Sequence, residues 1–312
     1  MVLYNIWSLL QWYLRPFVKW FLRKTTRLCE LQRICYGDKP GAERTCNVEK
    51  SLLLSRTQDI KEVVSFLDVA VLEQRLNPPN IKILLEPAIS IVIRVKKINP
   101  KYHSSFVVSF RRCLEQIWSY KTLMAEVEDL RRITFDNNNT DHEKKLLRFW
   151  DLLVPYENLE ARISKQWQHI GFQGDDPKTD FRGMGILGLD NLLYFASEYP
   201  QVSNHVLSHS LHPKYGYTFA IVGINLTSMA YYLLKDGSAK TYMYNSKQLP
   251  SINLFHKFYC YLFYEFDKLW IESKPKDIME FSIIFQKFEN AIRTELADPA
   301  NVFRINIEID TV

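Results

Sequence analysis

Residues 167–195 read W-Q-H-I-G-F-Q-G-D-D-P-K-T-D-F-R-G-M-G-I-L-G-L-D-N-L-L-Y-F. Within them Gly183-Met184-Gly185-Ile186-Leu187-Gly188 spells GxGxxG, and how that sextet is read decides the fold. After an apolar strand, inside a βαβ unit, it would announce a dinucleotide-binding sheet. The residues before it, Pro177–Arg182, form no such strand. The hydrophobic spacing on both sides is helical. The stretch therefore reads as a loop between helices, and the fold class as all-α.

Working outward, Leu189, Leu192, Leu193, Ala196 and Tyr199 form a helical stripe that Pro200 should end. Residues 217–234, 252–271 and 276–296 read as further helices. On the other side, Ile60, Val63, Val64, Leu67 and Val71 step by three and four. Residues 81–97 are apolar then basic, 101–133 read as a long helix after Pro100, and Asn137–Thr140 mark a polar loop before a helix over 141–153. Asn77-Pro78-Pro79-Asn80 is a breaker. Only the tail, Val302–Ile309, alternates like a strand. The expected organisation is an aromatic and basic helix over 1–36, a Gly/Pro/charge linker over 37–48 (GDKPGAERTCNV), a helical region over 49–132 and the principal domain over 133–306.

Composition sets the outer limits. With 312 residues, 47% hydrophobic and 24% charged, the chain is an ordinary globular protein with one large domain or two smaller ones. That excludes wholesale disorder, collagen and a polytopic membrane protein. The core should be bulky, because there are 19 Phe, 17 Tyr and 7 Trp against 10 Gly. The net charge of +5 is local: Arg15, Lys19, Arg23, Lys24 and Arg27 lie in the first 27 residues without an Asp or Glu, and the rest holds 35 basic and 35 acidic residues. No general phosphate-binding surface, and so no nucleic-acid partner, is indicated. Five cysteines at irregular spacing, with no CxxC, favour reduced thiols and a cytoplasmic location.

The first 27 residues form neither a signal peptide nor a membrane span, since the charge follows the apolar run and polar residues interrupt it. Asn5, Ser8, Gln11, Arg15, Lys19 and Arg23 lie within an arc of about 120° on a helix, opposite Leu3, Trp7, Leu10, Leu14, Phe17 and Phe21. This is an amphipathic helix with a bend expected at Pro16. Its aromatic face suits a lipid interface, giving peripheral attachment to intracellular membranes, or equally the protein's own core. Cys29 and Cys35, beside that helix, are candidates for palmitoylation.

Five of the ten glycines fall in the quoted stretch: Gly171, Gly174, Gly183, Gly185 and Gly188. Backbone freedom concentrated there can admit a partner closely. Asp175, Asp176 and Asp180 could serve a cation or acid–base chemistry, yet acidic residues beside glycines are more often turn formers and caps. His205, His209 and His212 have a spacing that one helix face can use for zinc, but no fourth ligand is evident. Arg182, between Phe181 and Gly183, is the distinctive cation. A guanidinium on a rigid turn is what trans-activation of a GTPase needs, and equally what a structural ion pair uses.

The stretch resembles the ELMO-domain-containing protein family, whose motif has the form W-x3-G-(F/W)-Q-x3-P-x-T-D-x-R-G-x-G-x3-L-x2-L-x-Y-F. Trp167, Gly171, Phe172, Gln173, Pro177, Thr179, Asp180, Arg182, Gly183, Gly185, Leu189, Leu192, Tyr194 and Phe195 meet every fixed position. The likeness extends less sharply over about residues 133–300. It implies an ELMO-type helical domain and a GTPase-activating protein for Arf and Arf-like small GTPases, with Arg182 as the catalytic arginine finger. The activator then has no cofactor or metal of its own, because GTP and Mg²⁺ sit on the GTPase, and it performs no chemistry alone. Asp180 and Gln173 are expected to hold the loop, and Trp167, Phe172 and Phe195 to anchor it in the core. The alternative is a non-catalytic adaptor that binds a GTPase or another partner through the same loop.

Overall fold

The computed structural model describes residues 2–74, 81–301 and 303, with the backbone alone at 2–12, 70–74 and 82. Among the described residues every regular element is helical, in agreement with the all-α reading. The breaker at 77–80 and, apart from residue 303, the tail at 302–309 expected as a strand lie outside the described residues. The chain divides into two compact units, residues 1–121 and 122–312.

The first unit contains α1 (Val2–Thr26), α2 (Glu30–Gly37), α3 (Ala42–Leu53), α4 (Gln58–Gln74), α5 (Ile81–Lys96) and the first part of α6 (Ser104–Arg132). The segment 1–36, expected as one helix, holds two: Arg27 adopts a left-handed φ of 57°, and Cys29 caps α2. Helix α1 runs unbroken through Pro16. The expected linker at 37–48 is mostly helix. Ala42, Thr45, Val48, Ser51 and Leu52 bury one side of α3. The polar residues that disguised this stripe have structural partners: Arg44 donates to the Asp38 carbonyl and to Ser109 Oγ.

Helix α1 meets its unit through its basic stripe. Arg15 and Lys19 both pair with Glu30, and Arg23 donates to the Lys96 carbonyl. Burial resists ionisation of Glu30, but bonds from Lys19 and Ser51 and the charges of Lys19 and Arg15 outweigh it and hold the carboxyl below its ordinary pKa. The opposite side, with Tyr13, Phe17, Trp20 and Phe21, is exposed. Cys29 and Cys35 are buried, which removes them as accessible acylation sites. Among the described residues no helix is long and apolar enough to cross a membrane.

The second unit holds the remainder of α6, then α7 (Thr140–Leu153), α8 (Gly185–Glu198), α9 (Pro200–Ser210), α10 (Phe219–Lys235), α11 (Lys240–Asn245), α12 (Ile252–Ser273) and α13 (Phe281–Ala297). Pro200 both ends α8 and opens α9, because a proline at the first helical position forfeits no internal bond. Helices α8, α10 and α12 pack on one another, with α7 and α9 flanking α8 and α13 on α12. Leu254, Phe255, Phe258, Tyr259, Leu262, Phe263, Phe266 and Trp270 give α12 a buried stripe at helical spacing, and Ser251 caps its first turn. Helix α10 is buried on nearly all sides, from Phe219 and Ala220 through Leu226 and Ala230 to Leu234.

One buried charge ties α9 to α12. Asp267 accepts from Tyr217 Oη at 2.7 Å and lies 2.7 Å from His209 Nδ1. His212 accepts from the amides of Lys214 and Tyr215 instead, so the three imidazoles do not converge. The bond to Asp267 raises the pKa of His209 above its ordinary value, against the opposing effect of burial. A raised histidine contributes stability that is complete below the unfolded pKa of about 6.5 and is lost as pH climbs through the folded value. Denaturant unfolding of wild type and His209→Gln across pH 5.5–9 should therefore differ by about 1.5–3 kcal/mol at the acid end and converge toward the alkaline end. A difference that is constant with pH would disprove the charged pair.

Candidate functional site

The quoted stretch joins α7 to α8 as two 3₁₀ turns, Lys165–Ile170 and Pro177–Thr179, followed by a tight turn through Phe181–Gly183. Its foundation is aromatic. Trp167, Phe172 and Phe181 are buried. Trp167 meets Trp150 and Phe172 edge-on, Phe172 meets Phe181 edge-on at 5.7 Å, and Phe181 stacks on Phe135 at 5.8 Å. Such pairs contribute about 0.5–1.5 kcal/mol each beyond the area they bury. Trp167 also donates Nε1–H to the Arg162 carbonyl at 2.9 Å, which satisfies its one polar atom.

Gly171 ends the first 3₁₀ turn in the left-handed region, at φ 84°. A Cβ there would lie 2.2 Å from the Phe219 amide nitrogen, so the loop seats against the start of α10 only because the residue is glycine. Its carbonyl accepts from the Ile221 amide at 3.2 Å.

Asp180 and Thr179, among the polar residues of the motif, hold the loop. Asp180 accepts the Gln173 amide on Oδ2 at 2.8 Å, and its Oδ1 lies 3.4 Å from the Thr179 hydroxyl oxygen. Asp180 thus bonds the main chain of Gln173 across the loop, while the Gln173 side chain is exposed. Pro177 is buried at the start of the second 3₁₀ turn, and the Thr179 hydroxyl donates to the Asp176 carbonyl. Asp176 caps that turn through the Lys178 amide and accepts from Arg162 Nη1 at 3.0 Å. Asp175 accepts from Gln168. The three aspartates therefore have separate structural partners.

Arg182 is exposed. Its Nε donates to the Thr179 carbonyl at 2.8 Å. Among the described residues no carboxylate pairs with it, and no other bond occupies its two terminal nitrogens. A guanidinium tethered at Nε presents those nitrogens as a fork, the geometry that matches a phosphate or carboxylate edge.

The turn after Arg182 is held by residues the sequence did not single out. Gly183 has φ 88°, and its carbonyl accepts from Arg131 Nη1 at 3.1 Å. Gly185, at φ 50°, lies where a Cβ would come 2.4 Å from the carbonyl oxygens of both Arg131 and Ile133. The Ile186 amide donates to the Ile133 carbonyl, so the end of α6 caps the start of α8. Arg162, bonded to both Glu143 and Asp176 with its guanidinium over Phe135, is a second unforeseen brace. Arg131 and Arg132 looked like the ordinary basic end of a long helix. Only their spacing from Glu128, at i+3 and i+4, hinted at a cluster.

The remaining motif residues face the core of α8. Leu189, Leu192 and Phe195 are buried, and Tyr194 donates to Asn253 while stacking on His256. GxGxxG thus belongs to a loop and a helix start, with no strand before it.

Residues 125–285 match the ELMO/CED-12 family. ELMO domain-containing protein 2 of Bos taurus is 45% identical over 287 residues, which cover 92% of this chain and 93% of that protein. ELMO domain-containing protein 1 of Mus musculus is 46% identical over 300 residues, covering 90% of this chain and 88% of that protein. ELMO domain-containing protein B of Dictyostelium discoideum is 33% identical over 283 residues, covering 88% and 92%. No solved structure matches the chain. A loop built on the family's motif, in an all-helical setting and with relatives alike along nearly their whole length, places this chain in the ELMO/CED-12 family.

Proposed function

We propose that this protein is a GTPase-activating protein for Arf and Arf-like small GTPases and that Arg182 is its arginine finger. Family membership supports a role with small GTPases in general. The observation that carries the finer reading is the state of Arg182: exposed, tethered at Nε, and without an acidic partner among the described residues. A structural arginine would be paired, as Arg162 is.

The chemistry follows from that arrangement. The GTPase supplies the nucleotide, Mg²⁺ and the attacking water. As the γ-phosphoryl group leaves, charge builds on oxygens that the GTPase alone neutralises incompletely, and the Arg182 fork enters to offset it. Tethering at Nε keeps the two terminal nitrogens directed outward and reduces the entropy lost on engagement. A finger of this kind contributes about 10³–10⁵ in rate, roughly 4–7 kcal/mol of barrier.

Helix α1 supports peripheral membrane attachment in the same reading. Its basic stripe is turned to its own unit by Glu30, which leaves Tyr13, Phe17, Trp20 and Phe21 outward, and aromatic residues of this kind favour a lipid interface.

Single-turnover GTP hydrolysis across a panel of purified Arf and Arf-like proteins tests the first part. Arg182→Ala should lower the stimulated rate by about 10³ or more, and Arg182→Lys should fall within about tenfold of Ala, because lysine keeps the charge and loses the fork. Wild-type rates for both variants would leave the adaptor reading in its place. Flotation with phosphatidylserine-containing vesicles tests the second part. Joint replacement of Phe17, Trp20 and Phe21 by Ser should reduce bound protein about tenfold or more, and unchanged flotation would refute the lipid-facing assignment.

A further inference from the structure

The Arg182 turn is fixed unequally on its two sides. Before it, Phe181 is locked among Phe135 and Phe172. After it, Gly183 has a left-handed φ that packing does not enforce: a Cβ on Gly183 would meet nothing within 4 Å. The main chain closes the turn, the Met184 and Gly185 amides donating to the Phe181 carbonyl at 3.2 and 2.7 Å, and a side chain reaches Gly183 itself through the bond from Arg131 Nη1 to its carbonyl.

Arg131 is itself prepared for that task. Its Nε and Nη2 are taken by the two oxygens of Glu128, at 3.2 and 2.8 Å, which leaves Nη1 directed at Gly183. Glu128 also accepts from Tyr231 Oη at 2.5 Å and from Arg132 Nε at 2.6 Å. The Arg131 guanidinium lies over the Tyr231 ring at 4.9 Å, and Tyr231 is buried in α10. Bonds from Arg131 and Tyr231 press the Glu128 carboxyl down to about 2, so the clamp keeps its charge throughout the neutral range. The main chain contributes as well, since the Arg131 carbonyl abuts Gly185 too closely for any side chain there.

We propose that Arg131, oriented by Glu128 and Tyr231, is a positioning residue for Arg182: it sets the direction of the turn after Arg182, and through it the approach of the Arg182 fork to a phosphoryl group. This rests on the reading of Arg182 as a finger. Two forks then act in series. Arg131 splits its donors between a carboxylate and a backbone carbonyl, and Arg182 carries the free charge. Lysine at 131 could keep the ion pair with Glu128 but could not also reach Gly183 with a fixed second donor. A displacement of about 1 Å at a group that must meet a transition state can cost about 10²-fold.

The test is single-turnover GTP hydrolysis by an Arf-family protein over a range of activator concentrations, with Arg131→Gln, Arg131→Lys, Tyr231→Phe, Arg182→Ala and the Arg131→Gln/Arg182→Ala pair in the full chain. Arg131→Gln and Arg131→Lys should lower the maximal rate about 10- to 100-fold, with the half-saturating concentration changed by less than about threefold, and Tyr231→Phe should act in the same direction more weakly. In the Arg182→Ala background, Arg131→Gln should remove nothing further, because its effect passes through Arg182. Hydrogen exchange over residues 181–187, which needs no GTPase, should quicken about tenfold in Arg131→Gln while the core helices keep their protection. A wild-type maximal rate in both Arg131 variants, an added loss in the double variant, or unchanged exchange over 181–187 would each overturn the positioning role. Full stimulation by Arg182→Ala would instead remove the finger reading, and the exchange measurement would still report separately on the clamp. Should Arg131→Gln fail to fold, Arg131→Lys and Tyr231→Phe carry the same readouts.

Discussion

Burial of the Phe181 ring is the constraint on which the site depends. The ring is fixed between Phe135 and Phe172, which anchors the turn in the core. The next residue, Arg182, lies exposed on the outer side of that anchored turn. The aromatic series behind Phe181, through Phe172 and Trp167 to Trp150 on α7, makes that anchorage costly to reverse. The arginine is thus exposed on a packed turn rather than on a disordered surface loop.

The two ends of Arg182 differ in stiffness for the same reason. Its backbone sits between a buried aromatic ring and a carbonyl held by Arg131. Its side chain is retained by one hydrogen bond to the Thr179 carbonyl, worth about 1 kcal/mol net. Rotation of the tip is thus easy on the scale of thermal energy, while movement of the turn is not. A group that must meet a bound partner gains from this division, since a rigid base limits the entropy lost on engagement and a light tether lets the last bond form on the partner.

Much of this was legible in the sequence, and what was hidden was hidden for physical reasons. The stripes of α8, α10 and α12 follow helical spacing closely enough to be read directly. The clustering of glycines marked a loop with unusual backbone needs, and Gly171 and Gly185 confirm it through contacts no side chain would survive. Helix α3 was missed because Pro40, Gly41 and a run of charged residues masked a stripe of small and weakly apolar residues, Ala42, Thr45 and Val48. The braces of the site were missed for another reason. Arg131, Glu128, Tyr231 and Arg162 come from distant positions and look like routine surface charges or core aromatics until the fold brings them together. Periodicity reports which face of a helix is buried, and it says nothing about which polar tip on that face meets a given carbonyl.

Three arginines surround one loop, and what separates them is the set of donors each leaves free. Arg162 is bonded to Glu143 and Asp176 and covers Phe135, so its charge is compensated on two sides. Arg131 faces Glu128 and spends its remaining fork on Gly183. Both are held by carboxylates from within the same unit, which is how a half-buried cation is stabilised at modest cost. Arg182 has a carbonyl for a partner and no carboxylate among the described residues. Of the three it alone leaves positive charge uncompensated at the tip of the loop. An anion of matching geometry is the natural complement of that charge, and the carboxylates of the loop, Asp175, Asp176 and Asp180, are already bonded to other groups.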